Sequence, residues 1–236
     1  MGTSDSSEVR TLRDARERVL ERIAAAAERA GREPDGIRLV AVTKTVGPDR
    51  IRAAVAAGLT TLGENRVQDA VEKRPLVPGA QWHLIGPLQS NKARRALETF
   101  EVIESVDSLD LARRLDRVAA EVRPGQAMPI LLQVNVDVDP AKAGFAVPDV
   151  ERDLPEILAL RGLRVDGLMT IGRQVTEPDE AGPTFVALRN LAARLRGANP
   201  TLGPELSMGM TDDFEVAVEE GATIVRVGRA IFGARA

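Results

Sequence analysis

Lys44, Lys73, Lys92 and Lys142 are the only lysines in a chain whose other fixed positive charges are all arginine. Arginine cannot be usefully deprotonated, so a reaction that needs a neutral amine nucleophile falls on one of these four positions. Lys44 follows the apolar run Leu39-Val-Ala-Val42 by a single threonine. If Val40 and Val42 point into a barrel, the two-residue period of a strand puts Lys44 on the same inward side. Partial burial there would favour the neutral amine, which condenses with aldehydes and ketones to Schiff bases. A lysine at a strand end can equally snorkel to solvent, and the residues alone leave both readings open.

Further polar residues gather where other apolar runs stop. Ser207-Met208-Gly209-Met210 is followed by Thr211-Asp212, which could cap a helix, and Val227-Gly228-Arg229-Ala230 places a glycine before a short helical turn. Glycine allows close backbone approach, and amides at a helix start favour an anion, so the two loops together could hold a phosphate across the mouth from Lys44. A turn glycine and an ordinary helix cap are the plainer alternatives. Arg226 alternates with Val225 and Val227 and so faces the lumen if those valines pack outward. A pyridine nitrogen would be a suitable acceptor for it and would then stay unprotonated; a structural ion pair with Glu64 or Asp166 is the competing reading. Glu64-Asn65 ends a second run. The sole histidine, His83, lies in Trp82-His-Leu-Ile-Gly-Pro-Leu-Gln-Ser-Asn-Lys92, where Ser90 or Asn91 could cap the next helix; a hydrogen-bonded core role outweighs a ligand role for it.

Composition removes several kinds of chemistry. With no cysteine and one histidine, thiolate and histidine-built metal sites, zinc included, are out of reach. A net charge of −3 with both signs interspersed gives no footprint for nucleic acid or an anionic membrane. No run approaches the ~18 apolar residues of a membrane span, and the first residues lack a signal-peptide layout, so a cytoplasmic protein is expected.

The elements that must carry these residues alternate. A leading amphipathic helix is predicted over Glu8 to Ala30, with residues 1–7 as a flexible tail. Strands follow at Arg38 to Lys44, Thr61 to Gly63, Trp82 to Ile85, Val102 to Val106, Ile130 to Val136, Leu163 to Met169, Glu205 to Met208 and Thr223 to Val227. Helical stretches connect each to the next. Eight βα units in 236 residues, with apolar strands suited to burial on both faces, predict one single-domain (β/α)8 barrel, a fold that typically takes roughly 250 residues. A doubly wound open sheet is the runner-up, disfavoured because no Gly-x-Gly-x-x-Gly follows the first strand.

Several of these segments, in order from Val9 to Arg235, resemble the pyridoxal phosphate homeostasis protein family. They are Leu39-Val-Ala-Val-Thr-Lys-Thr45, Leu62-Gly-Glu-Asn-Arg-Val-Gln68, Trp82 to Lys92, Gly167-Leu-Met169, Leu206-Ser-Met-Gly-Met210 and Val225-Arg-Val-Gly-Arg-Ala-Ile-Phe-Gly233. The resemblance implies a barrel like the N-terminal domain of alanine racemase, with pyridoxal 5′-phosphate (PLP) as cofactor and Lys44 as its aldimine lysine. It implies Arg226 beside the pyridine nitrogen, Asn65 near the ring, Met169 and His83 lining the ring, and a phosphate cradle from Ser207, Met208, Gly228 and Arg229. Lys142 corresponds to a loop lysine with no assigned chemistry. Many relatives carry a second lysine where this chain has Val46, and Gly-Thr where it has Gly228-Arg229. The first difference argues against a relay between neighbouring lysines; the second removes a hydroxyl that Arg229 could replace with charge. The implied role is intracellular PLP and vitamin B6 homeostasis by a monomer, with PLP-dependent apo-enzymes as recipients. A racemase-like PLP enzyme acting on a small amino acid is the alternative, but alanine racemase uses a tyrosine as its second base and this chain has none. A cofactor-free interaction scaffold is the third reading.

Overall fold

A computed structural model describes residues 3–173, 175 and 177–233. Eight strands close into one parallel barrel in sequence order. They are β1 (Arg38–Val42), β2 (Thr61–Glu64), β3 (Gln81–Leu84), β4 (Val102–Val106), β5 (Met128–Gln133), β6 (Leu163–Met169), β7 (Glu205–Ser207) and β8 (Ile224–Val227). Helices α2 (Pro48–Ala56), α3 (Val67–Lys73), α4 (Ala93–Thr99), α5 (Leu109–Val122), α6 (Val147–Leu158), α7 (Gly182–Ala198) and α8 (Phe214–Glu219) join successive strands, and α9 (Arg229–Phe232) follows β8. The alternation expected from the sequence is the one observed.

Helix α1 runs Thr3–Arg29 and so takes in residues 3–7 of the segment expected as a tail, while residues 1 and 2 lie outside the described residues. Nothing in Thr3-Ser-Asp-Ser-Ser7 breaks a helix, since it contains neither glycine nor proline. The stripe Leu12, Ala15, Val19 and Ile23 is buried, and Gly31 ends the helix at φ +64°, a left-handed position that costs glycine little. The helix packs on α2, α8 and α9, outside the seam where β8 pairs with β1. Arg22 fastens it to α8, 2.7 Å from Glu215 and over the Phe214 ring.

The strands sort their side chains by parity, as a barrel requires. Ala41, Leu62, Trp82, Leu84, Ile130, Leu132, Leu168, Val225 and Val227 belong to the large core between the barrel wall and the helices. Val40, Leu131, Met169 and Ile224 form a separate small cluster in the lumen. The lumen is tight at that level: a Cβ on Gly63 would come within 2.8 Å of Val40 Cγ1. The barrel is therefore plugged at that level, with the space for a ligand above it.

Candidate binding site at the barrel mouth

A cavity of about 780 Å³ opens where the strands end. Its wall includes Val42 at the end of β1, Lys44, Thr45 and Val46 after it, Asn65 after β2, Ile85, Ile171, Met210 to Asp212, and Arg226, Gly228 and Arg229 at and after the end of β8. Because β8 pairs with β1, with Val40 beside Arg226, the loop holding Gly228 is next to the Lys44 segment. The expectation that the two face each other across the mouth is corrected by closure of the barrel.

Lys44 lies on this wall but is exposed, so the burial expected of it is absent. Strand β1 stops at Val42, and the Val46 N–H reaches back to the Thr43 carbonyl at 2.9 Å, turning Lys44 outward. The turn is firmly held. Thr43 donates its backbone N–H to the Gly63 carbonyl at 2.9 Å and its hydroxyl to Glu64 Oε1 at 2.7 Å. Lys73 Nζ donates to the Thr43 carbonyl at 2.9 Å and to Glu64 Oε1 at 2.7 Å, with the Glu64 side chain fully buried. Lys73 is thus engaged as a structural cation, and Val46, 8 % exposed, supplies an apolar stretch of the cavity wall.

Arg226 forms the floor. Nη1 donates to Ser207 Oγ at 2.5 Å and Nη2 to the Thr170 carbonyl at 2.8 Å. The Ser207 hydroxyl donates to Glu104 Oε2 at 2.5 Å, and Glu104 Oε1 meets His83 Nδ1 at 2.6 Å. All four side chains are buried. Burial pushes the Glu104 carboxyl up, but the His83 contact, the Arg226 charge and the Ser207 hydrogen bond outweigh it and hold the carboxyl below its ordinary value. Burial likewise draws the Arg226 guanidinium down, opposed by Glu104 and Asp213. Neither ion-pair alternative for Arg226 is realised, because Glu64 pairs with Lys73 and Asp166 with Arg164 at 2.6 Å.

Four expected site residues are not on the cavity wall. His83, Met169 and Ser207 face the lumen one layer lower: His83 against Glu104, Met169 within the plug, Ser207 between Glu104 and Arg226. Two residues further along the chain, Ile85 and Ile171 take the rim positions above His83 and Met169. Met208 has the opposite parity from Ser207, and its side chain belongs to the outer core. Ser90 and Asn91 lie in a 3-10 turn with no side-chain cap, and Asp213 N-caps α8 with none, its carboxylate instead taking the Met210 N–H at 2.6 Å.

Two side chains that the sequence did not single out complete the picture. Thr211, expected only as a cap, accepts the Gly228 N–H through Oγ1 at 3.2 Å, and Glu104 balances Arg226. An acid at the centre of the apolar run Val102-Ile-Glu-Ser-Val106 was the available signal for the latter, since a buried carboxylate needs partners. Asn65 is set by close backbone contact, a Cβ on Gly86 falling 2.3 Å from its carbonyl oxygen. Among the described residues, no group of three or more His, Cys, Asp or Glu could hold a metal, and no helix is long and apolar enough to cross a membrane.

A family model described as alanine racemase, N-terminal domain, matches residues 16–236. The pyridoxal phosphate homeostasis protein of Pseudomonas aeruginosa is 42 % identical over 222 residues, covering 92 % of this chain and 93 % of that protein. The chain belongs to the pyridoxal phosphate homeostasis protein family. A solved relative of this family's chain, PipY of Synechococcus elongatus with PLP bound, is 42 % identical with a TM-score of 0.80, covering 91 % of this chain and 100 % of that one. Alanine racemase of Clostridium difficile 630 superposes with a TM-score of 0.74 at 13 % identity, covering 95 % of this chain and 57 % of that chain, which shows that the family shares its barrel.

Proposed function

We propose that the protein binds PLP in the mouth cavity with Lys44 as covalent anchor, and that it stores and delivers the cofactor in intracellular PLP and vitamin B6 homeostasis without catalytic turnover. The observation that carries this reading is one cavity that joins a free primary amine, a buried guanidinium on its floor, and a hydroxyl, an amide and a second guanidinium at one end. That donor set fits the three polar groups of PLP, and the volume lies within the usual range for a small-ligand site. When bound, PLP supplies an electrophilic aldehyde, a pyridine nitrogen and a phosphate ester.

Lys44 is the anchor because Lys73 is committed to Glu64 and Thr43. Its amine is exposed on the cavity wall, within reach of both an incoming aldehyde and solvent. Arg226 cannot serve as a proton source for a ring nitrogen, since a guanidinium donates hydrogen bonds without giving up its proton at ordinary pH. Glu104 keeps that charge in place. A cofactor whose nitrogen is not protonated is a poor electron sink, and the chain has no tyrosine to act as a second base. Attachment is favoured over turnover.

The test compares rates at which apo-forms of PLP enzymes regain activity. Holo-protein is expected to restore them faster than an equal amount of PLP mixed with Lys44→Ala protein; equal rates would count against delivery. Product formed from any of the twenty amino acids by the holo-protein, and not by Lys44→Ala, would replace the carrier reading with an enzyme.

A further inference from the structure

The donors in the loop after β8 are already engaged, and by two consecutive residues of one loop. Thr211 Oγ1 accepts the Gly228 N–H at 3.2 Å, and the Asp212 carboxylate pairs with the Arg229 guanidinium. Both acceptors belong to the segment between β7 and α8, and both donors to the segment after β8. A hydroxyl oxygen and a carboxylate are the acceptors that phosphate oxygens would replace. Resting on the reading that this cavity takes PLP, we propose that Asp212 is a displaceable internal anion, which holds Arg229 while the phosphate is away and hastens the phosphate's departure once it is bound.

The charges support exchange rather than a fixed lock. The two side chains are 66 % and 61 % exposed, so the pair is screened by solvent and weak. A weak pair yields to a doubly charged phosphate, which offers Arg229 more charge than one carboxylate can. After that exchange Asp212 remains beside Arg229, and its competition for that guanidinium raises the rate of release. The nearby Asp213 is not a substitute, being buried against the Met210 N–H. A pyridoxal that lacks the phosphate engages none of this.

The experiment measures affinity and dissociation of PLP, by its visible absorbance, for wild type, Asp212→Asn, Arg229→Thr and the double variant, with unphosphorylated pyridoxal titrated in parallel. Asp212→Asn is expected to bind PLP about two- to fivefold more tightly, chiefly through slower release, a size in keeping with an exposed charge pair. Pyridoxal binding stays unchanged, and the gain in PLP affinity shrinks to less than half in the Arg229→Thr background. Asp212→Ser carries the same expectation should the asparagine variant fail to fold. Unchanged or weaker PLP binding would overturn the proposal while leaving the cavity reading intact. Equal tightening of PLP and pyridoxal would also overturn it, by showing an effect of loop shape. Absence of PLP binding by the wild type would remove both.

Discussion

Ser207 Oγ lies 2.5 Å from Arg226 Nη1 and itself donates to Glu104 Oε2 at 2.5 Å, so the serine sits beneath the floor that Arg226 forms. Its hydroxyl relays between a buried cation and a buried anion, and His83 closes the other side of that anion. The four side chains form a buried polar layer at the base of the mouth, linked to one another by hydrogen bonds.

Glu104→Gln is expected to cost about 3–5 kcal/mol, because Arg226 would remain buried without its charge partner. Glu104 is held below its ordinary value of 4.5 in the folded state. The stability it contributes is therefore fully present above the unfolded value and lost as pH falls through the depressed one. Urea unfolding between neutral pH and about pH 3 should show this acid limb in wild type and a shallower one in the glutamine variant. Parallel limbs would place the acid sensitivity elsewhere.

Lys73→Met removes the ammonium that holds both Glu64 and the Thr43 carbonyl. A loss of about 3–5 kcal/mol is expected, since a fully buried carboxylate is left without its cation. The double variant Lys73→Met/Glu64→Gln should recover part of that stability, yet still bind PLP more weakly than wild type because the turn before Lys44 has lost its anchor. Calorimetry and absorbance titration separate the two effects.

Gly86→Ala places a methyl group 2.3 Å from the Asn65 carbonyl oxygen, too close for either backbone to stay where it is. Destabilisation of about 2–4 kcal/mol is expected, in line with overpacking against backbone, together with weaker PLP binding as Asn65 shifts. Gly36→Ala, where a Cβ meets nothing within 4 Å, is the matched control and should leave both unchanged. Equal behaviour of the two variants would mean that the Gly86 contact relaxes freely.

The barrel was legible because its strands are short apolar runs between helical stretches, and because eight of them fit this length. Parity was legible too: the two-residue period puts Val42 and Arg226 on the inward side and Val225 and Val227 on the outer one, as observed. Height was not. The same period that points His83, Met169 and Ser207 inward says nothing of how far up the barrel each stands, which depends on strand stagger and on where the neighbouring strands end. Ile85 and Ile171, two residues on, hold the rim instead. The exposure of Lys44 was hidden for a related reason, since nothing in Val42-Thr-Lys-Thr-Val46 marks the point where strand becomes turn.

The anchor itself is open to direct measurement. Wild-type protein incubated with PLP, reduced with borohydride and digested should yield a pyridoxyl-phosphate adduct on the peptide containing Lys44, and no adduct at Lys73, which Glu64 and Thr43 already hold. Modification at Lys73, Lys92 or Lys142 with Lys44 untouched, or no adduct at all, would contradict the account.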